Sequence, residues 1–303
     1  MSSIVVLGPG GVGGFLAAVL ARAGEDVAAV GREREAEVIA QDGISVQSRL
    51  FGPFNARLPV STELTSQADV LLVATKAPTL PEALTRIKSA PRLVVPFLNG
   101  FEHVAALRSY FGDGRVAAGV IRMETDCPAP GHVVQSSPGV RVELAADDAS
   151  LQEAVRGLAE VLLRTGLPAQ IGASEAQVLW CKLVRLAPLA CTTSVADRPI
   201  GFIRTDPHWR SVLLAVIGEV VAVANAEGAQ IDPASPLAEL ESAHATLGSS
   251  MQRDLAAGRE PEVEAIPGAV LRAAARHGIE CPTLAGLAAA IAERAGLPVP
   301  AGL

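Results

Sequence analysis

The run Gly8-Pro9-Gly10-Gly11-Val12-Gly13 is G-x-G-x-x-G, and it directly follows the β-branched run Ile4 to Leu7. Phe15, Leu16, Val19 and Leu20 come next at helical spacing. In a strand–turn–helix unit the first glycine permits a tight turn, the second leaves bare backbone for a pyrophosphate, and the third allows close helix–strand packing. The helix start then offers free N–H groups to phosphate oxygens. Set in the first βαβ unit of the chain, the pattern predicts a dinucleotide site rather than a merely structural turn. The end of the next strand, Val27 to Val30, selects the dinucleotide. A ribose 2′-hydroxyl calls for an acidic residue there, whereas this chain has Val30-Gly31-Arg32, with Arg34 nearby, and a guanidinium suits a 2′-phosphate. NADPH is expected over NADH. The alternative for Arg32 is an exposed surface charge, since Glu33 and Glu35 dilute the local positive field.

Lys182 is the most informative candidate proton donor. In Leu179-Trp180-Cys181-Lys182-Leu183 it shares a helical face with Val178, Leu179 and Leu186. A lysine so flanked is partly desolvated, which lowers an amine's pKa toward the range of general acid chemistry. A lysine whose tip reaches water past the same residues fits the pattern equally well. Lys76 ends the apolar run from Val70 to Thr75, and Asn99 ends the run from Leu93 to Leu98, with Gly100 behind it for a sharp turn. Both stand at the carboxyl ends of parallel strands, where open α/β sheets bind ligands, although turn and cap residues occur there too.

The elements that must position these residues follow from periodicity. Val70 to Ala74, Leu93 to Phe97 and Val116 to Ile121 are further buried strands, separated by helical stretches such as Pro81 to Ile87 and Glu102 to Tyr110. Such alternation predicts a parallel sheet covered on both faces. Ile44 to Val46 with Leu58 to Val60 reads as a hairpin around Phe51-Gly-Pro, and Val133 to Gln135 with Val140 to Leu144 as a closing hairpin around Ser-Pro-Gly. Beyond about residue 172 the pattern is helical: Val178 to Leu186, Val212 to Ala226, Leu237 to Ala257, Val270 to His277 and Leu284 to Ala295. The expected fold is an α/β Rossmann-type N-terminal domain with a parallel sheet, residues 1–172, followed by an all-helical C-terminal domain, residues 173–303.

Composition narrows the function classes. Half of the 303 residues are apolar, which excludes intrinsic disorder. Lys plus Arg number 25 against 32 Asp plus Glu, a net charge of −7, which argues against a non-specific nucleic-acid binder. Cys127, Cys181, Cys191 and Cys281 lie far apart and read as reduced thiols, and the five histidines are equally scattered, so no metal site is expected. The mean hydropathy of +0.35 comes from alanine, valine and leucine in buried elements. Arg22, Glu219 and Glu293 interrupt the apolar runs, so no membrane segment is expected. A soluble cytoplasmic protein, monomer or homodimer, is the reading.

Taken in order and at their spacing, Gly8 to Gly13, Thr75-Lys76-Ala77, Asn99-Gly100, Leu179-Trp180-x-Lys182-Leu183, Ser249-Ser250-Met251-Gln252-x-Asp254 and Glu262-Val263-Glu264-x-Ile266-x-Gly268 are specific. With them the chain resembles the ketopantoate reductase (2-dehydropantoate 2-reductase) family over nearly its whole length. The resemblance implies a Rossmann domain, a helical domain, and NADPH-dependent reduction of a small-molecule 2-oxo acid in the cleft between them. The family reaction is ketopantoate to pantoate, in pantothenate biosynthesis. By this resemblance Lys182 is the general acid, Glu262 its catalytic partner, and Asn99 and Ser250 line the substrate pocket. Gly8, Gly10, Gly11, Val12, Gly13, Arg32, Lys76 and Asn99 serve the cofactor.

The assignment is chemically coherent. Hydride arriving at a ketone carbon leaves a nascent alkoxide, which an ammonium can stabilise and protonate. Glu262 directly follows Pro261 and is expected in the first turn of a helix, where an anion is favoured. The chain also departs from the family. Leu186 and Ala190 stand where the family carries asparagines four and eight residues after the lysine, and Leu247 where it carries one three residues before the pocket serine. Arg185 and Arg198 are placed to supply a replacement carboxylate contact or to serve the surface. Buried hydrogen-bond donors discriminate substrates strongly, so three readings stay open. One is a ketopantoate reductase. The second is a relative acting on a more apolar 2-oxo acid, or an opine-type or 3-hydroxyacid dehydrogenase of the same plan. The third is a regulator that binds NADPH without turnover, against which the pairing of Lys182 with Glu262 argues.

Overall fold

Four consecutive buried residues, Ile4–Leu7, form the first strand, β1, around which the first half of the chain is built. The computed structural model describes residues 3–300. Along the chain follow α1 (Gly11–Arg22), β2 (Val27–Val30), α2 (Glu33–Asp42), β3 (Ile44–Ser48), β4 (Gly52–Ala56), β5 (Val60–Ser61) and β6 (Val70–Val73). Then come α3 (Leu80–Leu84), β7 (Leu93–Pro96), α4 (Glu102–Phe111), β8 (Ala118–Arg122), β9 (Thr125–Ala129), β10 (His132–Gln135), β11 (Arg141–Ala145), α5 (Gln152–Arg164) and β12 (Ala169–Ile171). The parallel order β5-β2-β1-β6-β7 is the 3-2-1-4-5 order of a Rossmann sheet. A single bridge from Val94 to Val116 starts the next strand at its edge.

Phe15 to Leu20 of α1 are buried without a gap, so the helix has no polar side. It packs against β1 and β2 on one side and, on the other, against a second sheet ordered β4-β3-β10-β9. Close approach on both sides needs glycine. A Cβ on Gly13 would stand 2.2 Å from the Gly8 carbonyl oxygen, and one on Gly14 would stand 2.9 Å from Val133 Cγ2 of β10. A third sheet, β12-β11-β8, carries α5 through Val155, Leu158 and Leu162.

Two strand pairings differ from the sequence expectation. The turn at Phe51-Gly-Pro is present, but β3 pairs with β4 in the register Ile44 to Ala56, while Val60–Ser61 runs parallel to β2. β10 and β11 do not pair with each other: β10 lies between β3 and β9, and β11 between β8 and β12. Alternating apolar residues mark a strand without naming its partner; here the partner is set by which strands cover α1.

From α6 (Glu175–Ala196) onward the chain is helical: α7 (Ile200–Thr205), α8 (Pro207–Ala226), α9 (Ala234–Ser242), α10 (Ser250–Ala256), a π turn at Glu264–Gly268, α11 (Ala269–His277) and α12 (Pro282–Ala295). α6 runs on through Pro188 instead of ending near Leu186, and the Thr192 and Thr193 hydroxyls donate at 2.7 Å to the carbonyls of Pro188 and Leu189. The stretch expected as one helix from Leu237 to Ala257 is two, α9 and α10, broken before the cap residue Ser249. Glu219 of α8 accepts the N–H groups of Thr283 and Leu284 at 2.9 and 2.8 Å, satisfying the start of α12, which has no side-chain cap of its own. By length and composition alone α6 and α8 are apolar enough to cross a membrane, and the apolar window of α6 is mostly buried against the rest of the chain.

The chain divides into two compact units. One runs to Leu98 and resumes over His103–Val178; the other takes Asn99–Glu102 together with the residues from Leu179 on. In the first unit, Gly13→Ala forces a methyl group against the Gly8 carbonyl. It is expected to destabilise the ligand-free protein by roughly 1–3 kcal/mol, the usual cost of overpacking, and to lower Tm by a few degrees. Unchanged melting would show that α1 can shift to make room.

Candidate active site

The first cluster is the glycine turn between β1 and α1. Gly8 holds φ +87°, donates its N–H to Val30 O at 2.9 Å, and is crowded by Thr75 at the end of β6. Gly10 is different: a Cβ there would meet nothing within 4 Å. It caps α1 without a side chain, and no acidic residue lies in the first turn, which holds Gly11, Val12 and Gly13. The N–H groups at the start of α1 therefore face an open, bare-backbone cradle that suits an anion such as a pyrophosphate. Two hydroxyls at the turn, Thr75 Oγ1 and Thr125 Oγ1, are buried with no hydrogen-bond partner among the described residues. Thr125 lies against Gly11, where a Cβ would come within 3.2 Å of it. A bound polar ligand would relieve the cost of such orphaned groups.

Arg32 caps α2 at the end of β2, and Glu35 holds it. The Arg32 N–H donates to Glu35 Oε2 at 2.9 Å, while its Nε and Nη2 donate to Oε1 at 3.1 and 2.5 Å. Chiefly through that hydrogen bond, Glu35 holds the guanidinium's pKa above its ordinary value. Lys76 follows β6 and stands exposed at the start of a short 3-10 turn, Ala77–Thr79.

The second cluster belongs to the helical unit. Asn99 Nδ2 donates to Glu262 Oε2 at 2.7 Å, and Glu262 is 7% exposed. The next three residues fasten the same segment. Gly100 holds φ +79°, and a Cβ there would stand 2.1 Å from Ala265 O. Phe101 packs on Trp180 with ring centroids 4.9 Å apart, two residues before Lys182. Glu102 takes two bonds from Arg272, at 2.9 and 2.7 Å, and Arg272 also donates to Glu264 at 2.6 Å. Glu102 and Glu264 together hold the Arg272 pKa above its ordinary value, Glu102's hydrogen bond first.

Glu262 is not in the first turn of a helix, as expected from Pro261, but just ahead of the π turn. Pro267 has no N–H to give to Val263 O, so Gly268 reaches that oxygen from five residues on, at 2.9 Å. Lys182 lies half-buried in α6, with Leu179 and Leu183 buried beside it. Leu186, one turn on, is half-buried, and Ala190 and Leu247 are buried, so no polar side chain stands at these three positions. Arg185 pairs with Glu239 at 3.4 Å, and Arg198 is exposed.

Ser250 opens α10, half-buried, while its neighbour Ser249 is committed elsewhere. Ser249 Oγ accepts the Gln252 N–H at 3.0 Å and meets Thr193 Oγ1 at 3.0 Å. Because the Thr193 hydroxyl donates to Leu189 O, Ser249 is the donor between the two. The Ser249–Thr193 tie and the Glu102–Arg272 pair were not anticipated. Both are long-range contacts; the pattern Ser249-x-x-Gln252 signals only the local cap at the start of α10.

The N-terminal model of the ketopantoate reductase PanE/ApbA family matches residues 4–146, and the C-terminal model of the same family matches residues 176–295. A 2-dehydropantoate 2-reductase of Caulobacter vibrioides is 29% identical over 93% of this chain and 95% of its own length. YkpB of Bacillus subtilis, named only as an oxidoreductase, is 28% identical over 92% and 94%. A D-mandelate dehydrogenase solved with NADH and anilino(oxo)acetate superposes with TM-score 0.88 over 97% of this chain and 98% of its own; at 21% identity it speaks for the fold alone.

Gly100→Ala combines a left-handed backbone with a blocked Cβ. It is expected to cost at least about 1–3 kcal/mol, read as a fall in Tm with helix content retained. A variant that melts like the wild type would mean that residues 99–102 are not fastened as described.

Proposed function

The chain belongs to the ketopantoate reductase PanE/ApbA family, and from that premise we propose that it reduces a 2-oxo acid to the 2-hydroxy acid with NADPH, most simply 2-dehydropantoate to pantoate. The observation that carries this reading is the buried Glu262 carboxylate, held at 2.7 Å by Asn99 in the unit that also carries Lys182. A buried anion is costly unless it is paired, and a paired acid and carboxylate serve turnover rather than mere dinucleotide sensing.

In this reading the start of α1 binds the pyrophosphate, Arg32 meets the 2′-phosphate, and Lys76 adds a second positive charge. The nicotinamide, when bound, supplies hydride to the ketone carbon. Lys182 Nζ gives a proton to the carbonyl oxygen as negative charge develops there. Asn99 fixes the rotamer of Glu262, so that its carboxylate orients the ammonium or the product hydroxyl. Ser250, with its neighbour's hydroxyl already engaged, offers its own to the substrate carboxylate.

A second reading concerns the substrate. Leu186, Ala190 and Leu247 offer no hydrogen bond, which favours a more apolar 2-oxo acid than ketopantoate. Oxidation of NADPH with a graded panel of 2-oxo acids separates the two, and no turnover with any of them would leave the sensing role.

Lys182→Ala is expected to lower kcat by about 10²–10⁴-fold, as for loss of one positioned proton donor, with NADPH affinity nearly unchanged. Adding Glu262→Ala should then cost far less than the product of the single effects, since the two act as one unit. Turnover kept within a few-fold in Lys182→Ala would remove that residue from the mechanism.

NADPH is expected to bind more tightly than NADH, and Arg32→Ala to lose most of the difference. Equal wild-type affinities in a fluorescence titration would overturn the choice of cofactor.

A further inference from the structure

Resting on the NADPH reading above, we infer that Glu35 is a cofactor-specificity residue, restraining the preference for NADPH over NADH through its hold on Arg32. Both residues stand at the end of β2, where dinucleotide enzymes distinguish a 2′-hydroxyl from a 2′-phosphate. The guanidinium is not free in the ligand-free protein, since Nε and Nη2 both donate to Glu35 Oε1. The two partners are unequal. The Arg32 side chain is 68% exposed and can turn away, whereas the Glu35 side chain is only 18% exposed.

The carboxylate is also fixed in place. Oε2 accepts the Arg32 N–H, and a Cβ built on Gly31 would lie 3.1 Å from that oxygen and 3.0 Å from Pro9 Cγ. Glu35 is therefore held beside Gly31, and that backbone bond keeps it there when the Arg32 side chain moves. A 2′-phosphate must draw Arg32 off its carboxylate and then lie near that residual negative charge. A 2′-hydroxyl meets neither penalty, because Arg32 keeps its partner. Of the neighbouring acids, Glu82 and Glu33 act on Arg32 less than Glu35 does, and both pair with Arg86, at 3.7 and 3.2 Å.

Glu35→Gln removes the charge but keeps an amide oxygen for the Arg32 N–H, so the helix cap survives. In direct titrations with NADPH and NADH, this variant is expected to bind NADPH about two- to fivefold more tightly, the scale of releasing one exposed ion pair. NADH affinity should stay within about twofold. The gain should vanish when Arg32→Ala is added, and Glu35→Ala should reproduce it. If Arg32→Ala abolishes the wild-type preference yet Glu35→Gln binds NADPH no more tightly, Glu35 has no such role while the cofactor reading stands. If Arg32→Ala leaves NADPH binding unchanged, both are overturned.

Discussion

A helix without a polar side must be covered all round, and α1 is such a helix. Burying Phe15, Leu16, Val19 and Leu20 contributes about 1.5–3 kcal/mol each as an upper bound. Together that approaches the net stability of a whole domain, about 5–15 kcal/mol. The Rossmann sheet covers one side and the β4-β3-β10-β9 sheet the other. Gly8 and Gly13 let the strand side close in, while Gly11 and Gly14 admit Thr125 and Val133 on the other. Of the glycines in this turn, Gly10 is the one that looks onto open space. The open surface of the turn is what two-sided packing leaves uncovered.

The helical unit is organised around a different requirement, a carboxylate taken out of water. Glu262 meets an amide from Asn99, and the three residues after Asn99 are each fixed by a separate contact: a backbone approach at Gly100, ring packing at Phe101, and a two-bond ion pair at Glu102. None of these is strong alone, since Arg272 and Glu102 are partly exposed and such pairs are weak in water. Their value is positional: four successive residues are held against Trp180 of α6, the stretch from Glu262 into the π turn, and Arg272 of α11.

Much of this was legible from residue patterns. β1 and β2 have the expected bounds, the parallel sheet follows from the alternation, and the helical half begins where the strand signal fades. Local patterns failed where a choice among distant partners was needed. β3 and β10 look like halves of two separate hairpins, yet they pair with each other because both cover α1. β9 was unreadable, since Asp126 and Pro128 are exposed along it. Asn99 reads correctly as the end of a strand, but its place with the helical unit depends on Glu262, 163 residues away. Glu35 reads only as a diluting charge until the geometry shows which atoms it holds.

The π turn ahead of α11 bears on how this chain can vary. It contains one residue more than an α-helical turn would need, and Pro267 keeps it from relaxing into one. Each residue advances a helix by about 100°, so losing one between Glu262 and Ala269 would swing the carboxylate a quarter turn away from Asn99. Side chains in this stretch are open to exchange wherever burial permits. Its length is not, and an insertion or deletion of a single residue there would uncouple the carboxylate from the amide while leaving every element of the fold intact.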